Sequence, residues 1–137
     1  MKIHHIGFVV NDIKTSIKNF KKLYSLNYVT EIFEDTIQQV NVAFIYNNPS
    51  ETQIELIEPT NKKSPVYEFL KKGGGLHHIC YETKNILKTI EHLKLDKNIR
   101  SIVPPVPGGG HNNKLISFFY VNRDCPKGHI VELVEVN

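Results

Sequence analysis

The chain has 137 residues, which suits one domain or two small modules sharing a core. Its composition, 40% hydrophobic and 23% charged, is that of a soluble globular protein; no apolar run approaches the roughly 20 residues that span a bilayer and no signal-peptide profile opens the chain, so a cytoplasmic location is expected. The net charge of +3 comes mostly from scattered lysines, with Arg100 and Arg123 the arginines; it reads as a solvated lysine-rich surface, with a weak preference for small anionic ligands as the lesser alternative, and shows no clustered basic and aromatic patch of a nucleic-acid binder.

Residues 3–10 form a short apolar run that ends at Asn11-Asp12, which predicts a strand followed by a helix capped by Asp12. Ile13, Ile17, Phe20, Leu23 and Tyr24 recur at helical spacing and predict an amphipathic helix over 13–24. Three strands are expected next, at about 27–34, 37–46 and 52–58, with Asn47-Asn48-Pro49-Ser50 as the turn between the last two. Residues 1–59 therefore read as a βαβββ module. A linker over 60–75 carries a lysine-rich turn, a short helix around Tyr67, Phe69 and Leu70, and a stop at Gly73-Gly74-Gly75.

Residues 76–137 repeat the plan, with a strand at 76–83, a helix at about 85–95, and strands at about 99–103, 115–121 and 129–136. Ile86, Ile90 and Leu93 fall at the register of Ile13, Ile17 and Phe20. Between the second and third of these strands, Pro104 through His111 is a stiff segment running into glycines, and reads either as a surface loop or as a cover over an active site through Gly108–Gly110. Cys80 and Cys125 have no motif spacing and read as reduced thiols.

A short signature occurs once in each module. Ile3-His4-His5-Ile6 is answered by Leu76-His77-His78-Ile79, and Ile54-Glu55-Leu56-Ile57-Glu58 by Val131-Glu132-Leu133-Val134-Glu135. Strand alternation separates the members. His4 lies with Ile6, Phe8 and Val10 on the side expected to pack under the helix, and His77 lies with Ile79 and Tyr81; both are expected to be buried histidines with backbone partners. His5 shares its face with Gly7, which leaves space above the strand, and His78 with Cys80 and Glu82. Glu55 and Glu132 lie among apolar neighbours on their own faces, where a carboxylate is costly unless a cation or donor meets it. Glu58 and Glu135, near strand ends, are expected to be solvated surface charges. His5, Glu55, His78 and Glu132 are thus the candidate metal ligands. Two imidazoles and two carboxylates suit one borderline divalent ion such as Zn, Ni, Co or Fe, whereas Mg or Ca would want more oxygens.

The duplicated plan resembles the vicinal oxygen chelate superfamily over nearly the whole chain. Four stretches, His4-His5-Ile6-Gly7, Ile54-Glu55-Leu56-Ile57-Glu58-Pro59, Gly75-Leu76-His77-His78-Ile79 and Gly128-His129-Ile130-Val131-Glu132-Leu133, look most like its glyoxalase I and methylmalonyl-CoA epimerase branch. The resemblance implies an α+β fold in which two βαβββ modules form a cupped mixed sheet, the glyoxalase/bleomycin resistance/dioxygenase fold, as a single domain over 1–137 with the metal in the cup. It carries the family's metal ligands to His5, Glu55, His78 and Glu132. It also implies proton transfer at a carbon beside a carbonyl, with an enediolate stabilised by the metal. Glu132 is then the expected moving base and Glu55 a ligand or partner base. A homodimer is expected because exposed sheet edges pair.

Two departures choose between branches. Epimerases usually carry Gln at the second ligand position, where this chain has Glu55, as bacterial glyoxalase I does. They also carry a second catalytic Glu in a Gln-Gly-Val-x-Glu pattern, where Gln38-Gln39-Val40-Asn41 leads here to Val42. Inverting a stereocentre needs acid/base access from both faces, so the expected activity is a lactoylglutathione lyase-like, glyoxalase-type isomerase/lyase acting on a thiol hemithioacetal. Pro59-Thr60, the Gly73–Gly75 approach and the run Arg123 to Gly128 look epimerase-like and keep a methylmalonyl-CoA epimerase-like racemase, acting on an acyl-CoA, as the alternative. A non-catalytic drug-binding relative has no need for four ligands. A ring-cleaving dioxygenase has no use for the fourth.

Overall fold

A computed structural model describes residues 1–137 as nine strands and three α-helices. The elements in chain order are β1 (Ile3–Val9), α1 (Ile13–Tyr24), β2 (Tyr28–Val29), β3 (Phe33–Asp35), β4 (Val40–Tyr46), β5 (Gln53–Pro59), α2 (Tyr67–Lys71), β6 (Gly75–Thr83), α3 (Ile86–Leu93), β7 (Ile99–Pro107), a 3₁₀ turn at Gly109–His111, β8 (Leu115–Val121) and β9 (His129–Glu135). The α+β class and the doubled βαβββ plan are those expected from sequence. No helix is long and apolar enough to cross a membrane.

The chain forms two compact units, His5–His77 and a second made of Met1–His4 with His78–Asn137. In the first, β1 runs parallel to β5, β5 is antiparallel to β4, and β2 and β3 both pair with β4. The single strand expected over 27–34 is therefore broken in two. In the second unit, β6 is parallel to β9, β9 antiparallel to β8, and β8 antiparallel to β7.

Each unit uses its two strand faces differently, as period-two alternation requires. In the first, Leu56, Ala43 and Ile45 pack with Ile13 of α1, joined by Phe8, Val10, Ile17 and Phe20. The opposite face collects Val9, Val40, Val42, Ile57 and Val66, against which Phe69 and Leu70 of α2 pack. In the second, Leu133 and Phe119 meet Ile86 and Ile90 of α3, while Cys80, Ile116 and Val134 fill the other face. Burying a side chain such as Leu56 or Leu133 contributes about 1.5–3 kcal/mol.

Both long helices start in the same way. Asp12 accepts from the Thr15 amide at 2.9 Å and Asn85 from the Lys88 amide at 3.0 Å. The Thr15 backbone N–H first, and then the Thr15 side chain, hold the Asp12 carboxyl below its usual range. The stability this cap lends is present above the unfolded-state pKa and is lost as pH falls through the lowered folded value. The second glutamate of each repeat adds a further acceptor: Glu58 Oε2 takes the Ile13 amide at 2.8 Å, and Glu135 Oε2 the Ile86 amide at 2.9 Å. Glu58 also accepts from Asn41 Nδ2 at 3.0 Å. These carboxylates were expected to be free surface charges. They are instead helix caps at the positive end of the dipole. Glu58→Ala and Glu135→Ala should each cost about 1 kcal/mol of stability, seen as melting points a few degrees lower, with activity retained. Unchanged melting points in both would contradict the capping role.

The segment from Pro104 was expected to be a loop, yet β7 continues through Pro107. Its pairing with β8 slips between Ser101 and Val103 and again between Val103 and Val106. β7 is the terminal strand of its unit, paired on one side only, so Pro104, Pro105 and Pro107 forfeit few ladder bonds there. The true turn is the short segment 108–114. At the other glycine run, the amides of Gly73 and Gly74 bond back to Leu70 and Phe69, and all three glycines have positive φ. A Cβ on Gly74 would lie 2.8 Å from the Val9 carbonyl oxygen, so the chain can pass there only as glycine.

Candidate metal centre

The four residues singled out by strand face are all buried: His5 is fully buried, Glu55 5% exposed, His78 3% and Glu132 2%. Within each unit the structure brings each histidine to its own glutamate. His5 Nε2 lies 3.5 Å from Glu55 Oε1, and His78 Nε2 lies 2.8 Å from Glu132 Oε2. Strand register explains the first pair, because Gly7 stands opposite Glu55 on β5 and brings no side chain over the carboxylate. In the second unit Cys80 takes the place opposite Glu132.

A further residue completes each pair, and the sequence reading passed over it. Phe44 is opposite Glu55 on β4, and its ring meets His5 edge-on at 5.2 Å and 71°. Phe118 is opposite Glu132 on β8, and its ring meets His78 at 5.3 Å and 82°. Each phenylalanine shields an imidazole and fixes its tilt. The available signal was an aromatic on the strand before each glutamate, Ala43-Phe44-Ile45 and Ser117-Phe118-Phe119.

His4 and His77 are half-buried, and each packs edge-on against a ring, His4 against His111 at 5.3 Å and His77 against Phe69 at 4.8 Å. Val42 is buried among Val9, Val40, Ile57 and Val66, so an apolar side chain is well accommodated at that position. His111, named in sequence only as the end of a loop, proves to be a buried neighbour of the second pair. It is 9% exposed, and its Nε2 lies 3.4 Å from Glu132 Oε1.

The donor set fits a divalent ion. Withdrawing a carboxylate from water costs several kcal/mol unless a cation or donors compensate. In each unit an imidazole Nε2 and a carboxylate oxygen face one another, both buried. Imidazole nitrogen with carboxylate oxygen is the donor mix of Zn, Ni, Co and Fe sites.

A family profile described as the Glyoxalase/Bleomycin resistance protein/Dioxygenase superfamily matches residues 4–118, and the chain belongs to that superfamily. Among curated proteins it is 34% identical to the human mitochondrial methylmalonyl-CoA epimerase, over 96% of this chain and 72% of the human one. It is 30% identical to an ethylmalonyl-CoA/methylmalonyl-CoA epimerase of Cereibacter sphaeroides, over 98% of both chains. Among solved structures, a Streptomyces coelicolor methylmalonyl-CoA epimerase variant in complex with 2-nitronate-propionyl-CoA superposes with a TM-score of 0.81 at 26% identity, covering 98% of this chain and 96% of that one.

These relatives overturn the expected lactoylglutathione lyase-like activity, and they group the chain with enzymes of the superfamily rather than with its drug-binding members. The reasons lie in the two residues used to choose the branch. Glutamate and glutamine both present a side-chain oxygen to a metal, so Glu55 discriminates poorly between reactions. Val42 removes one acid/base group from one position only, and a second carboxylate elsewhere can take over its part.

Proposed function

We propose that this protein is a metal-dependent epimerase of an acyl-coenzyme A thioester with an acidic carbon beside its carbonyl, of the methylmalonyl-CoA or ethylmalonyl-CoA kind. The observation that carries the reading is the buried Glu132, 2% exposed, with an imidazole facing each of its two oxygens. Three further observations support it: the repeat of the His–Glu pair in both halves, the burial of all four residues, and relatives that are epimerases of such thioesters.

In this reading His5, Glu55, His78 and Glu132 together hold one divalent ion of the Zn, Ni or Co type. Such an ion supplies a Lewis acid for a carbonyl oxygen. Glu132 removes the proton from the carbon next to the thioester carbonyl and carries it on its carboxyl oxygen. Epimerisation needs a proton returned to the opposite face, and Val42 has no proton to give. Glu55 takes that part. It is a glutamate where epimerases usually have Gln, so the second acid/base group has moved from the β4 position to the ligand position on β5. Phe44 and Phe118 exclude water from the imidazoles beside these carboxylates.

The test is the conversion of a single methylmalonyl-CoA enantiomer by metal-loaded protein. The expected result is progress to an equal mixture of both forms, stopped by a chelator and restored by added divalent ion. An enantiomer that stays unchanged overturns the reading.

A further inference from the structure

The segment read as either a surface loop or an active-site cover ends in a closed turn that places one histidine. The Gly108 amide bonds to the Lys114 carbonyl at 2.9 Å, while the amides of His111 and Asn113 bond to the Gly108 carbonyl at 3.0 and 3.1 Å. Asn112 and Asn113 both take left-handed backbone, with φ of 54° and 60°. Such conformations cost energy for residues with a Cβ and persist only where the surroundings enforce them. At Gly108 a Cβ would meet Ile116 Cγ2 at 2.8 Å and His111 Cδ2 at 3.1 Å, so the turn closes against β8 and the imidazole with no room to spare.

The turn delivers His111 to Glu132. Its Nε2 faces Oε1 at 3.4 Å, and the other oxygen, Oε2, faces His78 at 2.8 Å. The edge of the His4 ring rests against the His111 ring at 5.3 Å and 69°, which limits the rotation of that imidazole.

We propose that His111 is a positioning residue for Glu132: it holds one carboxylate oxygen and so leaves the other aimed at the metal and the substrate carbon. The role rests on the reading of Glu132 as ligand and base. Outer groups of this kind fix a ligand's orientation and strengthen metal binding.

The test compares His111→Ala and His111→Gln, the amide of glutamine offering an N–H close to the place of Nε2. Affinity for Co(II) is measured without substrate, by competition with a chromophoric chelator, and kcat and KM are measured for methylmalonyl-CoA epimerisation. His111→Ala should bind Co(II) about 10–100-fold more weakly and lose kcat with KM little changed, and His111→Gln should recover most of both. Wild-type Co(II) affinity and kcat in His111→Ala overturn the proposal. Equal losses in both variants overturn it too, since an N–H offered near the place of Nε2 would then restore nothing. The two readings fail differently. If the acyl-CoA reading fails, the wild type epimerises nothing while the Co(II) titration still reports on His111; if only the role of His111 fails, wild-type epimerisation stands and His111→Ala behaves like it.

Discussion

Glu132→Gln should lower the rate of proton exchange at the carbon beside the thioester carbonyl by about 10²–10⁴-fold, the range of a general acid/base, while the protein still folds. Glutamine keeps a side-chain oxygen and nearly the shape of glutamate, so the fully buried neighbours Leu133 and Val134 need not move. It cannot carry a proton between carbon and solvent. Because the amide oxygen still offers a metal donor, the variant should keep part of its divalent-ion affinity and so separate proton transfer from ligation. Exchange at the wild-type rate would remove Glu132 from the chemistry. Glu58 is the natural control, as it carries the same functional group on the first repeat but caps α1.

His5→Ala and His78→Ala should each weaken divalent-ion binding beyond about 100-fold, the upper end for an outer-shell partner. The stoichiometry of the wild type should be one ion per chain. The pair of variants matters more than either alone. If both histidines serve one ion, removing either empties the same site, and the two losses are comparable. If only His78→Ala loses the ion, the first His–Glu pair is a structural contact and the shared-ion reading fails. Inductively coupled plasma analysis of dialysed protein, with a titration of the metal-free form, measures both quantities.

Much of this was legible in the sequence for physical reasons. The helical spacing of Ile13, Ile17 and Phe20, and of Ile86, Ile90 and Leu93, comes from helices that each bury one stripe, and the structure places Ile13, Ile86 and Ile90 in core. Alternation separated His5, Glu55, His78 and Glu132 from their neighbours His4, Glu58, His77 and Glu135, because a strand cannot turn one residue without turning its neighbours, and the four are buried where the more open face was expected. What was hidden depends on tertiary partners. Glu58 and Glu135 looked solvated until helix amides 45 and 49 residues away met them. The prolines after Val103 looked like a loop, since sequence does not say that their strand is an edge. His111 had no periodic context at all; only the turn's hydrogen bonds carry it to Glu132. The activity was the hardest to see. Val42 marks a missing group, and a missing group does not show where its replacement stands.

The most direct test of the central claim is solvent deuterium uptake by methylmalonyl-CoA, followed by mass spectrometry in D₂O with the metal-loaded protein, the chelated protein, and Glu132→Gln and Glu55→Gln variants. The account predicts one deuterium gained at the carbon between the two carbonyl groups with the loaded wild type, none above background with the chelated protein, and uptake slowed about 10²–10⁴-fold in Glu132→Gln. It also predicts that Glu55→Gln still exchanges but fails to epimerise. Uptake that is the same with and without metal, or unaffected by Glu132→Gln, would contradict it.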